Sequence, residues 1–285
     1  MAFSARKPFR SKKYLRKMKV NSQIQKGTFK QTMTSHEKAN IFKPFSDEVP
    51  FQFECHTGIS CFTECCAKLQ LLLTPYDILR MKNRLNISSN QFLDQYTETL
   101  FNHHPRFPMV KLSMKKDEGH RCPFVTEKGC TIYEDRPEAC RLYPVGRASA
   151  LVDRETESRE KYFIVDESHC RGFQEKKEWS LEKWLNHEGV REYKDMNTRW
   201  LGIMTSSKSL GPKAHLAQKH QMFFMASYNL DKFRQFLFHS KFFDHFQVDE
   251  ELKERMETND VALMGFGFDW LKFSLFGDKT LKVKQ

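Results

Sequence analysis

Acidic residues are nearly missing from one end of the 285-residue chain. Residues 1–43 hold twelve Lys and Arg but a single acid, Glu37. The remaining residues carry 35 of the 47 basic and 35 of the 36 acidic side chains, so the formal charge of +11 belongs to that arm and the body is neutral. A large basic nucleic-acid face on the body is therefore not expected. Long apolar runs are missing too. The charge-free stretch 220–230 is far short of the roughly 20 apolar residues that a membrane span needs. A secretory leader is not expected, because no apolar segment follows the basic residues 6–19. No cysteine follows Cys170, and the C-x2-C spacing of common zinc fingers occurs nowhere. P-loop, H-E-x-x-H and G-x-S-x-G motifs are missing as well. Gly265 and Gly267 give G-F-G without a third glycine or a preceding strand, which leaves dinucleotide binding unsupported.

What is present is a soluble-type composition, 39% hydrophobic and 29% charged, with eight cysteines between Cys55 and Cys170. With no leader expected and a chain long enough to bury a core, a cytoplasmic, reducing setting follows, and the thiols read as metal ligands rather than disulfides. Three regions are expected. Residues 1–50 form a basic, mostly disordered arm, residues 51–175 a cysteine-rich metal-stapled module, and residues 176–285 a helical Phe-rich region. The fold class expected is α+β, mainly helical.

Local signals support this division. Thr74, Pro75 and Asp77 read as N-cap, first helical residue and capping-box partner. They open a helix with Ile78, Met81 and Leu85 inward and Arg80, Lys82 and Arg84 facing water. Ser88 and Gln91 open a second helix that turns Phe92, Leu93 and Tyr96 inward. Residues 107–114 and 161–166 read as strands, and the polar run 146–160 as a hairpin or loop. Ser180 caps a helix burying Leu181, Trp184 and Leu185. Residues 190–204 place Val190, Tyr193, Trp200 and Leu201 inward, and Leu230, Phe233 and Leu237 mark another helix. Asn259 or Asp260 opens a last helix that stops at Gly277. Twelve of the 26 phenylalanines fall in residues 223–276, a core rather than a cofactor site.

The cysteines fall into C-x5-C-x3-C-C (Cys55, Cys61, Cys65, Cys66), C-x7-C-x9-C (Cys122, Cys130, Cys140) and the separate Cys170. Gly58, Gly129 and Gly172 supply turns, and Pro123 and Pro137 stiffen the backbone beside candidate ligands. Four thiolates around Zn²⁺ or a [4Fe–4S]²⁺ core leave a net charge of about −2. Arg121, Arg136, Arg141 and Arg171 stand beside three of the cysteines and would offset that charge, and Tyr133 would pack over the site with Tyr143, their hydroxyls bonded to backbone. Eight thiols allow two four-ligand sites or one site with spare thiols, and the neighbours Cys65 and Cys66 are not expected to serve the same ion. His56 and His169 are further candidate ligands, whereas His103 and His104 read as loop residues.

These motifs resemble a known family. They are Phe53-x-Cys55, Cys61-Phe-x-x-Cys65-Cys66, the stretch from Leu73 to Arg80, Cys122-Pro-Phe, Gly129-Cys-Thr-Ile-Tyr-Glu-Asp-Arg-Pro-Glu-Ala-Cys140-Arg-Leu-Tyr-Pro144 and Cys170-x-Gly172. Together they are similar to the YkgJ-type cysteine-cluster proteins, described as zinc- or iron-chelating. A similar cluster occurs in flagellin lysine N-methylases. The resemblance covers about residues 50–175 and implies metal chelation in a bacterial cytoplasm, without an assigned reaction or catalytic residue. Many members have the tighter C-x2-C-x2-C-C, from which this chain departs.

Three functions are thus expected in competition. The first is a metal-binding cysteine-cluster protein with an iron–sulfur cluster, [4Fe–4S] in type, or zinc, serving redox or scaffolding with an unknown protein or redox partner. The second is a protein-modifying enzyme related to the flagellin methylases, although no glycine-rich loop for S-adenosylmethionine is found. The third is a nucleic-acid-associated zinc protein, weakly anchored by the arm.

Overall fold

The chain carries its own start and stop signals, and they set the helices that frame the thiols. In the computed structural model, which describes residues 42–45, 49–152 and 157–284, Thr74 caps helix α1 (Pro75–Arg84). Its hydroxyl accepts the Asp77 N–H, and the Asp77 carboxylate accepts the Thr74 N–H, so both ends of the capping box are made. Ile78 and Met81 are buried as expected, and Arg84 lies on the outer face. Lys82 does not face water. It is 6% exposed, and its ammonium donates to Asp260 at 2.6 Å and to Asn83 at 2.8 Å. A carboxylate 178 residues away overrides the local amphipathic pattern. Ser88 and Gln91 make a second capping box for α2 (Ser89–Tyr96).

These helices lie against a small antiparallel sheet of β3 (Leu72–Leu73), β5 (Met109–Leu112) and β4 (Thr97–Leu100), in the order β3-β5-β4. The strand expected over 107–114 is shorter at both ends. Pro108 has no N–H for the ladder, and Phe107 turns into the core to stack on Phe223 at 4.3 Å.

A second sheet, in the order β1-β9-β8, joins β1 (Phe42–Pro44), β9 (Glu157–Val165) and β8 (Val145–Val152). The polar run 146–160 is thus largely a hairpin. Residues 1–41, most of the basic arm, lie outside the described residues. Strand β2 (Phe51–Gln52) pairs with β10 (Glu178–Trp179). Phe51, Phe53, Val145, Trp179, Leu181 and Trp184 bury a small core there. Ser180 caps α4 (Leu181–His187), as its sequence indicated.

The larger core takes α1, β5 and the C-terminal helices α5 (Arg191–Thr205), α6 (Leu216–Tyr228), α7 (Leu230–Phe238), α8 (Phe242–His245), α9 (Glu250–Thr258) and α10 (Asp260–Phe276). On α5 the buried residues near its end are Ile203 and Met204, with Leu201 only half-buried. Asn259 accepts the Val261 and Ala262 N–H groups at the start of α10. Gly277 closes the helix in a left-handed conformation, φ 74°. The G-F-G pair lies within α10. A Cβ on Gly267 would come within 3.1 Å of the Ala226 carbonyl, so this glycine serves close helix packing. Helices predominate over short sheets, a mainly helical α+β fold. No helix among the described residues is long and apolar enough to cross a membrane.

Candidate metal centre

Two backbone seams bring the cysteine segments together. In one, the Phe53 N–H donates to the Lys177 carbonyl at 2.9 Å and the Glu54 N–H to the Gly172 carbonyl at 3.1 Å. The chain can approach this closely because residue 172 is glycine: a Cβ there would meet the Glu54 carbonyl at 2.9 Å and the Phe53 ring at 2.5 Å. The seam sets Cys55 beside Cys170, and the Arg171 N–H donates to the Cys61 sulfur at 3.1 Å.

In the other seam, the Cys122 N–H donates to the Cys66 carbonyl and the Lys68 N–H to the His120 carbonyl, both at 2.8 Å, with Ala67 bridged to Arg121. The hairpin of β6 (Val125–Thr126) and β7 (Gly129–Cys130), turning at Gly129 with φ 109°, returns Cys130 towards Cys122. Cys140 comes from α3 (Glu138–Leu142), which follows Pro137. The α3 start is tied to α1, where the Asp77 carboxylate also accepts the Glu138 N–H at 2.9 Å.

Between the seams, Cys65 and Cys66 end a 3₁₀ turn, Glu64–Cys66. The chain enters and leaves it through Thr63 (φ 67°) and Lys68 (φ 56°), and His120 (φ 45°) faces it across the seam. Among the described residues, these are three of the four non-glycine positions with positive φ. Such conformations cost of order 1–3 kcal/mol each and persist only where surrounding structure holds them. The turn expected at Gly58 is present as well, closed by the Ile59 N–H donating to the His56 carbonyl at 3.2 Å. The Gly58 N–H is used to hold His56, donating to its Nδ1 at 3.1 Å.

All eight cysteines are free thiols; Cys55 is exposed and the others half-buried. The thiols of Cys61, Cys170 and Cys66 act on Cys55 electrostatically. Partial burial and these neighbours push its thiol up to about 11. The Cys122 thiol also rises to about 11, chiefly from burial, with Cys66 and Cys130 beside it and the Phe124 N–H opposing. Cys140 is raised by burial and by Cys122, Cys66 and Cys130. Of the touching pair Cys65 and Cys66, Cys66 ionises more readily, because the Cys65 thiol donates to it and Arg121 lies near. Thiols packed this closely resist ionisation unless a cation joins them. The donor set therefore fits a thiophilic metal or cluster, whose charge would draw all of them to thiolate.

The arginines divide. Arg121 donates to the Thr63 hydroxyl at 2.9 Å and faces Cys66. Arg136 and Arg141 are 8% and 6% exposed and are committed elsewhere. Arg136 pairs with Glu188, donates to the Tyr133 carbonyl and lies 3.7 Å over the Tyr133 ring. Arg141 donates to the carbonyls of Glu188 (2.7 Å), Arg136 and Glu134. Charge from Arg136 still reaches Cys130. Tyr133 is 52% exposed. The Tyr143 hydroxyl is buried beside the Cys170 thiol and has no backbone partner. His104 accepts the Arg106 and Phe107 N–H groups through Nδ1, a loop role. His169 sets its Nε2 3.7 Å from Glu167.

Two further features were not legible in the sequence beyond His56, already a candidate ligand. Glu54, His56 and Glu175 bring three ligand atoms within 4.8 Å of one another. Glu54 and His56 flank Cys55 in sequence, but nothing local signals Glu175. A groove of about 530 Å³, lined by Phe62, Thr63, Arg121, Val125, Thr126 and Glu127, opens beside the second seam.

Residues 54–171 match the model of the cysteine-cluster family described as "CxxCxxCC: Putative zinc- or iron-chelating domain". No curated protein and no solved structure matches the chain.

Proposed function

We propose, because residues 54–171 match the model of a zinc- or iron-chelating cysteine-cluster family, that the eight cysteines hold iron–sulfur chemistry used for electron transfer or to scaffold the irregular module. The observation that carries this reading is the convergence of free thiols from separate segments along two seams. Thiols drawn from several separate segments suit a cluster, which takes one thiolate at each iron. The ligand atoms that close within 4.8 Å in a group of three are those of Glu54, His56 and Glu175, not thiols. One tetrahedral Zn²⁺ with bonds near 2.3 Å would want its sulfurs about 3.8 Å apart. A cubane core places a separate iron at each thiolate and holds the sulfurs wider. The chain's own part would be to supply thiolates, to direct the Arg171 N–H at Cys61, and to set Arg121 beside Cys66. Hydrogen bonds and charge of this kind tune a cluster's potential.

Anaerobic purification with iron, sulfide and zinc analysis tests the reading. Iron with acid-labile sulfide and a visible absorbance that bleaches on reduction is expected. Stoichiometric zinc without sulfide would overturn the cluster while leaving chelation intact. A folded protein that takes up neither metal would overturn both.

A further inference from the structure

We propose that the Tyr143 hydroxyl is the hydrogen-bond donor to the Cys170 sulfur in the metal-loaded protein. The proposal rests on the metal-holding reading above and adds a residue that answers to the metal without ligating it.

The fold brings the two side chains to one place by separate routes. Tyr143 ends α3, three residues after Cys140. The carbonyl of the next residue, Pro144, accepts the Val165 N–H at 2.8 Å, which ties this point to the end of β9. Five residues beyond Val165, the Cys170 N–H donates to the Glu167 carbonyl at 2.9 Å and closes a turn. Tyr143 and Cys170 then pack against the same small core. The Tyr143 ring meets the Phe53 ring edge-on at 6.0 Å, and that Phe53 ring lies where a Cβ on Gly172 would be. One aromatic ring thus sets the tyrosine against the loop that carries Cys170.

The other polar aromatics of this core have partners. The Trp179 indole N–H donates to the Phe53 carbonyl at 2.8 Å, and the Trp184 N–H to the Leu142 carbonyl at 2.9 Å. The Tyr162 hydroxyl donates to Glu160 at 2.9 Å. The Tyr143 hydroxyl is buried but meets no oxygen or nitrogen. The side chain within its reach is the Cys170 thiol.

A buried hydroxyl without a good acceptor is costly. A neutral thiol accepts weakly, whereas a thiolate accepts strongly. Metal binding turns the first into the second at the same atom. The hydroxyl that is poorly served in the metal-free protein is therefore satisfied when Cys170 becomes a ligand, and its relief adds to metal affinity. Tyr143 acts through the sulfur, so it is a positioning residue, and it draws electron density from that ligand.

The test is Tyr143→Phe, which keeps the ring and its contact with Phe53. Co²⁺ is titrated into the reduced, metal-free full-length protein, and the sulfur-to-cobalt absorbance is followed for the variant and the unaltered chain. Affinity about tenfold weaker is expected in the variant, the usual cost of losing a ligand's outer partner. The absorbance band should move to longer wavelength, because a sulfur without its donor gives up electron density more easily. Thermal unfolding of the metal-free variant should occur at the same temperature as the unaltered protein or above it, since the substitution deletes an ill-served polar group. Unchanged affinity and an unmoved band would overturn the proposal. Equal destabilisation of the metal-free and loaded forms would assign Tyr143 to packing alone and overturn it as well. No cobalt uptake by the unaltered folded protein would instead count against the metal-holding reading itself.

Discussion

Asp260 receives hydrogen bonds from Lys82 and Arg234, both at 2.6 Å, at the point where α10 meets α1 and α7. Burial alone would raise this carboxyl, but the two cations outweigh burial and hold it below its ordinary value of 3.8. A depressed folded value means that the stabilisation is complete above 3.8 and is lost as pH falls through the folded value. Asp260→Asn should therefore cost about 2–3 kcal/mol at neutral pH, because it leaves Lys82 underpaired in the interior. The gap in melting temperature from the unaltered protein should close in acid. A gap independent of pH would refute the assignment. The sequence could not reveal this pair. A charged residue in a helix reads as solvated until its partner is known, and here the partner is distant in the chain. Arg136 and Arg141 teach the same lesson: their place beside Cys140 suggested thiolate partners, and the fold gives them mainly Glu188 and backbone carbonyls.

Helix α1 shows what is legible at the scale of an element. Thr74, Pro75 and Asp77 act on backbone groups within three residues of themselves, so their roles follow from sequence alone. The second use of Asp77, accepting the Glu138 N–H, depends on α3 arriving 61 residues later. The two residues should therefore separate on mutation. Thr74→Ala should cost about 1 kcal/mol, the ordinary value of a lost cap. Asp77→Ala removes acceptors from two elements and strands a buried N–H, at about 2–4 kcal/mol. Thermal or urea unfolding would check the order, and equal costs would show that the α1–α3 tie contributes nothing. The shortened β5 is the complementary case: alternation marked a strand, but Pro108 and the burial of Phe107 set its limit.

At the scale of the whole molecule, the thiols are held mostly by irregular segments and the helices mostly by apolar packing. Removing metal should thus loosen unequal parts. Hydrogen exchange followed by mass spectrometry on loaded and chelator-stripped protein should show faster exchange in residues 54–68 and 120–131, with α10 unchanged. Uniform acceleration would mean that the large core also depends on metal. The cysteine positions, their spacing and the family resemblance of residues 54–171 were all legible before the fold was known. Which thiol stands beside which was not, because that depends on the carbonyl of Cys66 finding the N–H of Cys122, and on Gly172 letting Glu54 approach.

The adjacency of Cys65 and Cys66 has a kinetic and electrical meaning. Consecutive Cα atoms are fixed about 3.8 Å apart, so the hydrogen-bonded thiols of Cys65 and Cys66 act on each other directly. Each would sense the other's charge at contact range, where little water intervenes to screen it. Ionising one thiol would then raise the work of ionising its neighbour. The pair is therefore a two-step acid, with one proton given up readily at Cys66 and the other held at Cys65.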